Sequence, residues 1–280
     1  MRIAIYDCEE KTHNTALMQI SQYYKNKGVF VEWYFPLAHD QYDKIYCSSL
    51  FDFSDKSLVT NDMICGGTGF DIKKKLPKEI EECDLDYSIY EGNCDTSYIW
   101  FSRGCVRDYK FCIVREKEGY IHPVKPKNLN PNGKHITICD NNFFMNPKWE
   151  EAIEQIKEWD QKVNFMGIDI RSLTNEQAEI LNNLRHGKQI KFAWDNPKED
   201  LEEKFRNITR IIKPYKIMVY VLIGYNSTEG DDFYRVEVLR SLGIDPFVMP
   251  YVKTNKYQKR FSRWVNNKAV FKSVAWEDYS

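Results

Sequence analysis

QIKFAWDNPKEDLEEKFRNITRIIKPYKIMVYVLIGY, residues 189–225, reads as strand, helix, strand. Its two ends are short apolar runs rich in aromatic and β-branched residues, their starts 27 residues apart, with room between them for one amphipathic helix. The same unit recurs on both sides: HITICDN (135–141) and VNFMGIDI (163–170) come before it and DPFVMPYV (245–252) after it, with successive starts 28, 26, 27 and 29 residues apart. A repeat of this length is one β-α unit, too short for most helical solenoid repeats, so it predicts consecutive parallel strands. With YIWFSRG (98–104) as the first strand there are six units. The fold class expected is α/β, a partial (β/α)6 TIM-like barrel; a flat doubly wound sheet is the rival.

Local signals agree with this period. Asn146-Pro147 opens a helix with Trp149, Ile153 and Ile156 on one face, and Thr174-x-x-Gln177 is a capping box for the next. Gly187 and Gly243 sit where C-caps belong.

Residues 1–94 alternate RIAIYD, VFVEWYFP, KIYCSSLF and DMICGG with the helical stretch NTALMQISQYYKNKG, which places Leu17, Ile20 and Tyr24 on one face and ends at Gly28. That pattern predicts a small Rossmann-like open parallel sheet. KKKLPKEIEECDLD (73–86) reads as a connector. The expected organisation is therefore 1–94, a small α/β domain; 95–252, the barrel core; and 253–280, a basic, aromatic extension packing on the barrel.

Composition narrows the function classes. The 280 residues are 42% apolar, enough for a buried core, and 40 basic against 41 acidic residues exclude a surface built throughout for nucleic acid. No run approaches the length of a membrane span, so a cytoplasmic protein without a membrane partner is expected. Eight cysteines, at 8, 47, 65, 83, 94, 105, 112 and 139, lack the density of a disulfide scaffold and are expected as free thiols.

Ligands of parallel β/α folds bind at the carboxyl ends of the strands. Just past the predicted strands lie Cys105 and Cys112; Cys139, Asp140 and Asn141; Asp169 and Arg171; Asp195 and Asn196; Gly224, Tyr225 and Asn226; Tyr251 and Lys253. Asp and Asn at such places also serve as turn and cap residues. Zinc at Cys105 and Cys112 would need a C-x-x-C knuckle or a second ligand pair, and neither is visible.

The segment WFSRGCVRDYKFCIVREKEG (100–119) resembles the cluster loop of the radical S-adenosylmethionine (radical SAM) superfamily, C-x3-C-x2-C, here Cys105-x3-Tyr109-x2-Cys112. CDNNF, IDIR, FAWDN and LIGYNST resemble the strand-end motifs of that core. The resemblance implies a 4Fe-4S cluster at Cys105 and Cys112, with Tyr109 at the third ligand position and Cys139 as a stand-in, Cys94 behind it. It assigns Phe111, Asn141, Arg171, Asp195 and Gly224 to S-adenosylmethionine. It further implies a 5'-deoxyadenosyl radical that abstracts hydrogen from an unknown substrate, and a flavodoxin or ferredoxin as electron donor. Tyr109 compromises the cluster site; the alternative is a non-catalytic relative that binds nucleotide or nucleic acid.

The N-terminal part resembles the cobalamin-binding domain of one radical SAM branch, with Ser48-x-Leu50 and Gly66-Gly67 at its small-residue positions. The Asp-x-His-x-x-Gly loop is missing, since CEEKTHN follows Asp7, and His13 has the wrong spacing. Cobalamin is therefore not expected.

Residues 253–272 carry seven basic and no acidic residues, interleaved with Tyr257, Phe261, Trp264 and Phe271. Two readings stand: a grip on nucleic acid by cations and stacking aromatics, or a helix whose aromatics close the barrel while its lysines stay in water.

Overall fold

The computed structural model describes residues 1–9 and 12–279. The chain divides into two compact units, Met1–Ile136 and Thr137–Ser280.

The first unit is built on β1 (Arg2–Asp7), α1 (Thr15–Lys25), β2 (Phe30–Trp33), β3 (Lys44–Ser48) and β4 (Ile64–Gly66). The strands form one parallel sheet in the order β2-β1-β3-β4. Side-chain alternation along β1 divides the core in two. Ile3 and Ile5 pack with Leu17, Ile20 and Tyr24 of α1, while Ala4 packs with Ile45, Cys47 and Met63 on the other face. The start of α1 is set by Asn14, whose side chain accepts from the N–H groups of Ala16 and Leu17. Gly28, at φ +69°, turns the chain after α1.

The rest of this unit holds α2 (Lys78–Glu81), β5 (Thr96–Ile99), β6 (Ser102–Arg103), α3 (Val114–Glu118) and β7 (His122–Pro123). YIWFSRG is therefore not one strand. Its second half leaves β5 because Ser102 and Arg103 pair antiparallel with Pro123 and His122.

β8 (His135–Ile138) lies at the boundary and ends in the second unit, which continues with α4 (Trp149–Trp159), β9 (Lys162–Phe165), α5 (Asn175–Asn183), β10 (Ile190–Ala193), α6 (Glu202–Ile208), β11 (Ile217–Ile223), α7 (Glu229–Ser241), β12 (Asp245–Pro250), α8 (Lys256–Asn266) and α9 (Lys268–Ser273). Strands and helices alternate, and β10, β11 and β12 form a parallel sheet in that order. The fold class is α/β with parallel sheets. Among the described residues, Val163 of β9 forms a single parallel bridge with His186, and no ladder joins β9 to β10.

Alternate strand residues, Ile190 and Phe192, then Ile217, Val219, Val221 and Ile223, are buried, as are Phe205 and Ile208 of α6 and Val236 and Leu239 of α7. The capping box at Thr174 and Gln177 forms with both of its hydrogen bonds. Gly243 takes φ +71° just after α7. Gly187 does not cap a helix: α5 ends at Asn183, and the N–H of Gly187 donates to the Val163 carbonyl 3.2 Å away.

Strand β12 is a sheet edge, and α8 covers it. The Asn266 side chain accepts from the Val248 N–H at 2.7 Å and donates to the Val248 carbonyl at 3.0 Å, satisfying a backbone pair that would otherwise face solvent.

Candidate functional site

In the first unit the cysteine loop leaves β6 at Gly104, whose φ of +81° suits glycine. A Cβ at this position would lie 2.5 Å from the Tyr120 carbonyl oxygen, so the two ends of the loop close on each other here. The Gly104 N–H donates to the Glu118 carboxylate at 3.0 Å, and Glu118 pairs with Arg103 at 3.4 Å. Arg103 in turn lies over the Trp100 ring. From α3, the Arg115 guanidinium donates to the Cys105 carbonyl at 3.1 Å. These contacts hold the backbone on both sides of Cys105.

The N–H of Arg107 points at the Cys105 sulfur from 3.4 Å. Cys105 is half-buried and Cys112 exposed. A turn joins Tyr109 to Cys112 through the Cys112 N–H, and the Tyr109 ring stacks on Phe111 at 5.2 Å between centroids. Cys94 and Cys139, the stand-ins, are half-buried thiols donating to the carbonyls of Thr96 and Thr137. Among the described residues, no three His, Cys, Asp or Glu side chains are grouped to hold a metal ion.

The positions likened to a cobalamin domain pack against one another. A Cβ on Gly67 would fall 2.3 Å from the Ser49 carbonyl oxygen, and the Ser48 hydroxyl accepts from the Asn14 side chain at 2.9 Å. The Leu50 N–H donates to Glu9 at 2.9 Å. His13 hydrogen-bonds the Tyr98 hydroxyl at 2.8 Å, with its ring 4.7 Å from Tyr90. The Tyr90 hydroxyl donates to Asp7 at 2.7 Å, and burial pushes the Asp7 carboxyl up to about 6.

In the second unit the strand ends carry a connected charged network. Arg171 donates to Asp169 at 2.5 Å and to Glu199 at 2.8 Å. Glu199 also accepts from the Asn196 amide, and its backbone carbonyl from the Trp194 indole. Asp195 accepts from the Leu222 N–H at 3.2 Å. Burial pushes its carboxyl up to about 6, against the opposing pull of that N–H, Arg235 and Arg171. Arg171 and Asp195, predicted as site residues, are thus brought into one electrostatic neighbourhood.

Gly224, also predicted, has φ +75°, and its N–H donates to the Ser227 hydroxyl at 2.9 Å. A Cβ there would meet the Gln258 side-chain nitrogen at 1.9 Å, so α8 covers this glycine. Asn141 is half-buried at the turn after β8, where Gly167 packs on its carbonyl.

Glu199, Asp232, Arg235 and Gln258 escaped the sequence reading. Asp232 and Arg235, three apart on a helix, carry the spacing of an ordinary surface ion pair, and Gln258 looks like any helix glutamine. Nothing in the sequence marks Asp232, Arg235 and Gln258 as buried.

The donor set tests the implied cluster. Three thiolates would hold it with one iron open; this loop offers two and a phenol. Phenols are protonated near neutral pH and are poor partners for soft iron-sulfide. The residues present fall one soft ligand short.

Compared with known proteins, the chain matches no family model and no curated protein.

Proposed function

We propose that this chain is a radical SAM-like protein whose β/α repeats form a partial (β/α)6 barrel that binds S-adenosylmethionine, and whose cluster loop is disabled by Tyr109. The supporting observation is the cysteine loop: Gly104, Glu118 and Arg115 brace its backbone, and an N–H points at the Cys105 sulfur. Such bracing is what a thiolate ligand needs to keep its position without metal. The rim of Arg171, Asp195 and Glu199 offers charges of both signs to the amino, carboxylate and sulfonium groups of the nucleoside. With only two thiols the loop is not expected to assemble a cluster, and no radical step is assigned to the chain as it stands.

The test is iron and sulfide content after anaerobic reconstitution, beside Tyr109→Cys, together with titration of S-adenosylmethionine by calorimetry. The expected result is about four irons per chain only in the substituted form, in line with a thiolate-held 4Fe-4S cluster, and nucleoside binding in both. Absence of iron and of nucleoside binding in both forms overturns the reading.

A further inference from the structure

Helix α8 faces solvent with one row of cations. Lys256, Lys259, Arg260 and Arg263 are all exposed, at positions i, i+3, i+4 and i+7, and with Tyr279 they line one cleft. On an α-helix this spacing puts them on a single face over roughly 10 Å of axis. Other basic residues nearby are neutralised: Asp245 holds Lys268 at 2.6 Å and Lys272 at 3.6 Å, and Glu237 holds Arg240. Among the described residues, Lys256, Lys259 and Arg263 form no ion pair. Arg260 is held in place, its guanidinium over the Trp276 ring at 4.4 Å and donating to the Tyr279 carbonyl.

The opposite face of α8 decides what this row meets. Phe261, Trp264 and Val265 are buried in the second unit, as is Phe271 of α9. None of them is free to stack on a base or to enter a bilayer. A helix that binds a membrane surface needs an apolar face to insert, and here that face is used up in the core. What remains is charge at regular spacing. Each strand of a nucleic-acid duplex carries a phosphate about every 3.4 Å of axis, so the row spans about three phosphate-to-phosphate intervals, matching its four cations to about four phosphates.

We propose that the exposed face of α8 binds the phosphate backbone of nucleic acid, through charge and without reading bases. The inference is independent of the nucleoside and cluster reading, since it needs neither. Contacts of this kind position a nucleic acid and confer affinity, while sequence preference would have to come from elsewhere.

The experiment is fluorescence anisotropy with the full chain, without cofactors, and two labelled probes, a mixed-sequence duplex DNA and a single-stranded RNA. It compares the wild type, Lys256→Gln/Lys259→Gln/Arg263→Gln, and a charge-matched control, Lys44→Gln/Lys74→Gln/Lys75→Gln. The wild type is expected to bind at least one probe with a Kd on the order of 10⁻⁴ to 10⁻⁶ M, and log K should fall against log salt with a slope of about −3.6 on the duplex or about −2.8 on the single strand for four phosphate contacts. Scrambling the probe sequence should change affinity less than about threefold, because base edges are not read. The α8 variant should lose at least about tenfold, with a slope shallower by about 2 to 3 and a residual slope of about −1 from the remaining Arg260, while the control stays near wild type. The proposal is overturned if wild type binds neither probe, if its binding is insensitive to salt, or if the α8 variant and the control bind equally. It is also overturned if phosphatidylserine vesicles bind the wild type more tightly than either probe. Because the salt slope is read on the unaltered protein, an α8 variant that fails to fold still leaves the proposal open to refutation.

Discussion

Asp232 and Arg235, one turn apart on α7, form an ion pair at 2.7 Å with both side chains only 1% exposed. The guanidinium also donates to the Trp194 carbonyl at 2.8 Å, tying α7 to the end of β10. Removing one partner strands the other charge in the interior, which typically costs about 3–5 kcal/mol. Asp232→Ala and Arg235→Ala should each lower the unfolding free energy by that amount in urea melts, and the double variant should lose less than the sum. A loss under about 1 kcal/mol from either single change would mean that water reaches the pair.

Two half-buried carboxyls contribute a pH dependence whose sign is opposite to that of a salt-bridged aspartate. Asp195 and Asp7 are both pushed up to about 6 from an ordinary value of 3.8, burial being the main cause. Between these values the native state holds protons that the unfolded chain has released. The contribution of these two groups to stability is therefore full below about pH 4 and is lost as pH rises to about 6, while carboxyls held below their ordinary values, such as Glu9 and Asp86, act in the opposite sense at the acid end. Asp195→Asn should remove its share of this slope, read as the midpoint of urea unfolding from pH 4 to 7.5. An unchanged slope would show that the carboxyl is hydrated in the native state.

Gly224 is constrained twice, by its φ of +75° and by the Gln258 side chain lying where a Cβ would be. Gly224→Ala should therefore destabilise by more than the roughly 1–3 kcal/mol of backbone strain alone. Adding Gln258→Ala should recover the steric part and leave the backbone part, although it also removes the bond from the Val252 N–H at 2.8 Å. A double-mutant cycle measured by thermal unfolding separates the two, and no coupling between the sites would refute the contact.

Thiol reactivity should divide the cysteines. Cys112 is exposed, whereas Cys47 is buried and its thiol pushed up by burial and by the neighbouring Cys8, whose sulfur lies 3.6 Å away. The thiolate is the reactive form, so iodoacetamide at neutral pH should label Cys112 first and Cys47 last. Peptide mass spectrometry over time reads the order; early labelling of Cys47 would mean that the first sheet opens.

The β-α period was legible because each strand and helix advertises its buried face in its own residues. β1 to β4 fall within the four runs read from residues 1–67, and β10 to β12 within theirs. The failures were local. YIWFSRG looks continuous, but its last residues pair with His122 and Pro123, a partner some twenty positions away that no periodicity announces. Gly187 looks like a cap, yet its N–H belongs to a bridge with β9.

In the candidate site, strand-end carboxylates and Arg171 could be named from position alone, whereas their partners could not. Glu199 sits in a turn-rich NPKED segment that reads as solvent-facing, yet it anchors Arg171 and, through its backbone, Trp194.

The sequence by itself determined the α/β class, the order of the strands along the chain, and a loop with Cys105 and Cys112 on either side of Tyr109. These follow from side-chain period and residue identity, which are local. Only the tertiary structure decided that burial pushes the Asp195 carboxyl up to about 6, that Gln258 fills the space over Gly224, and that α8 turns its aromatics inward and its cations out. Each of these depends on desolvation or on contact between distant segments, and the free energy of a charge or a Cβ is set by what the folded chain brings around it.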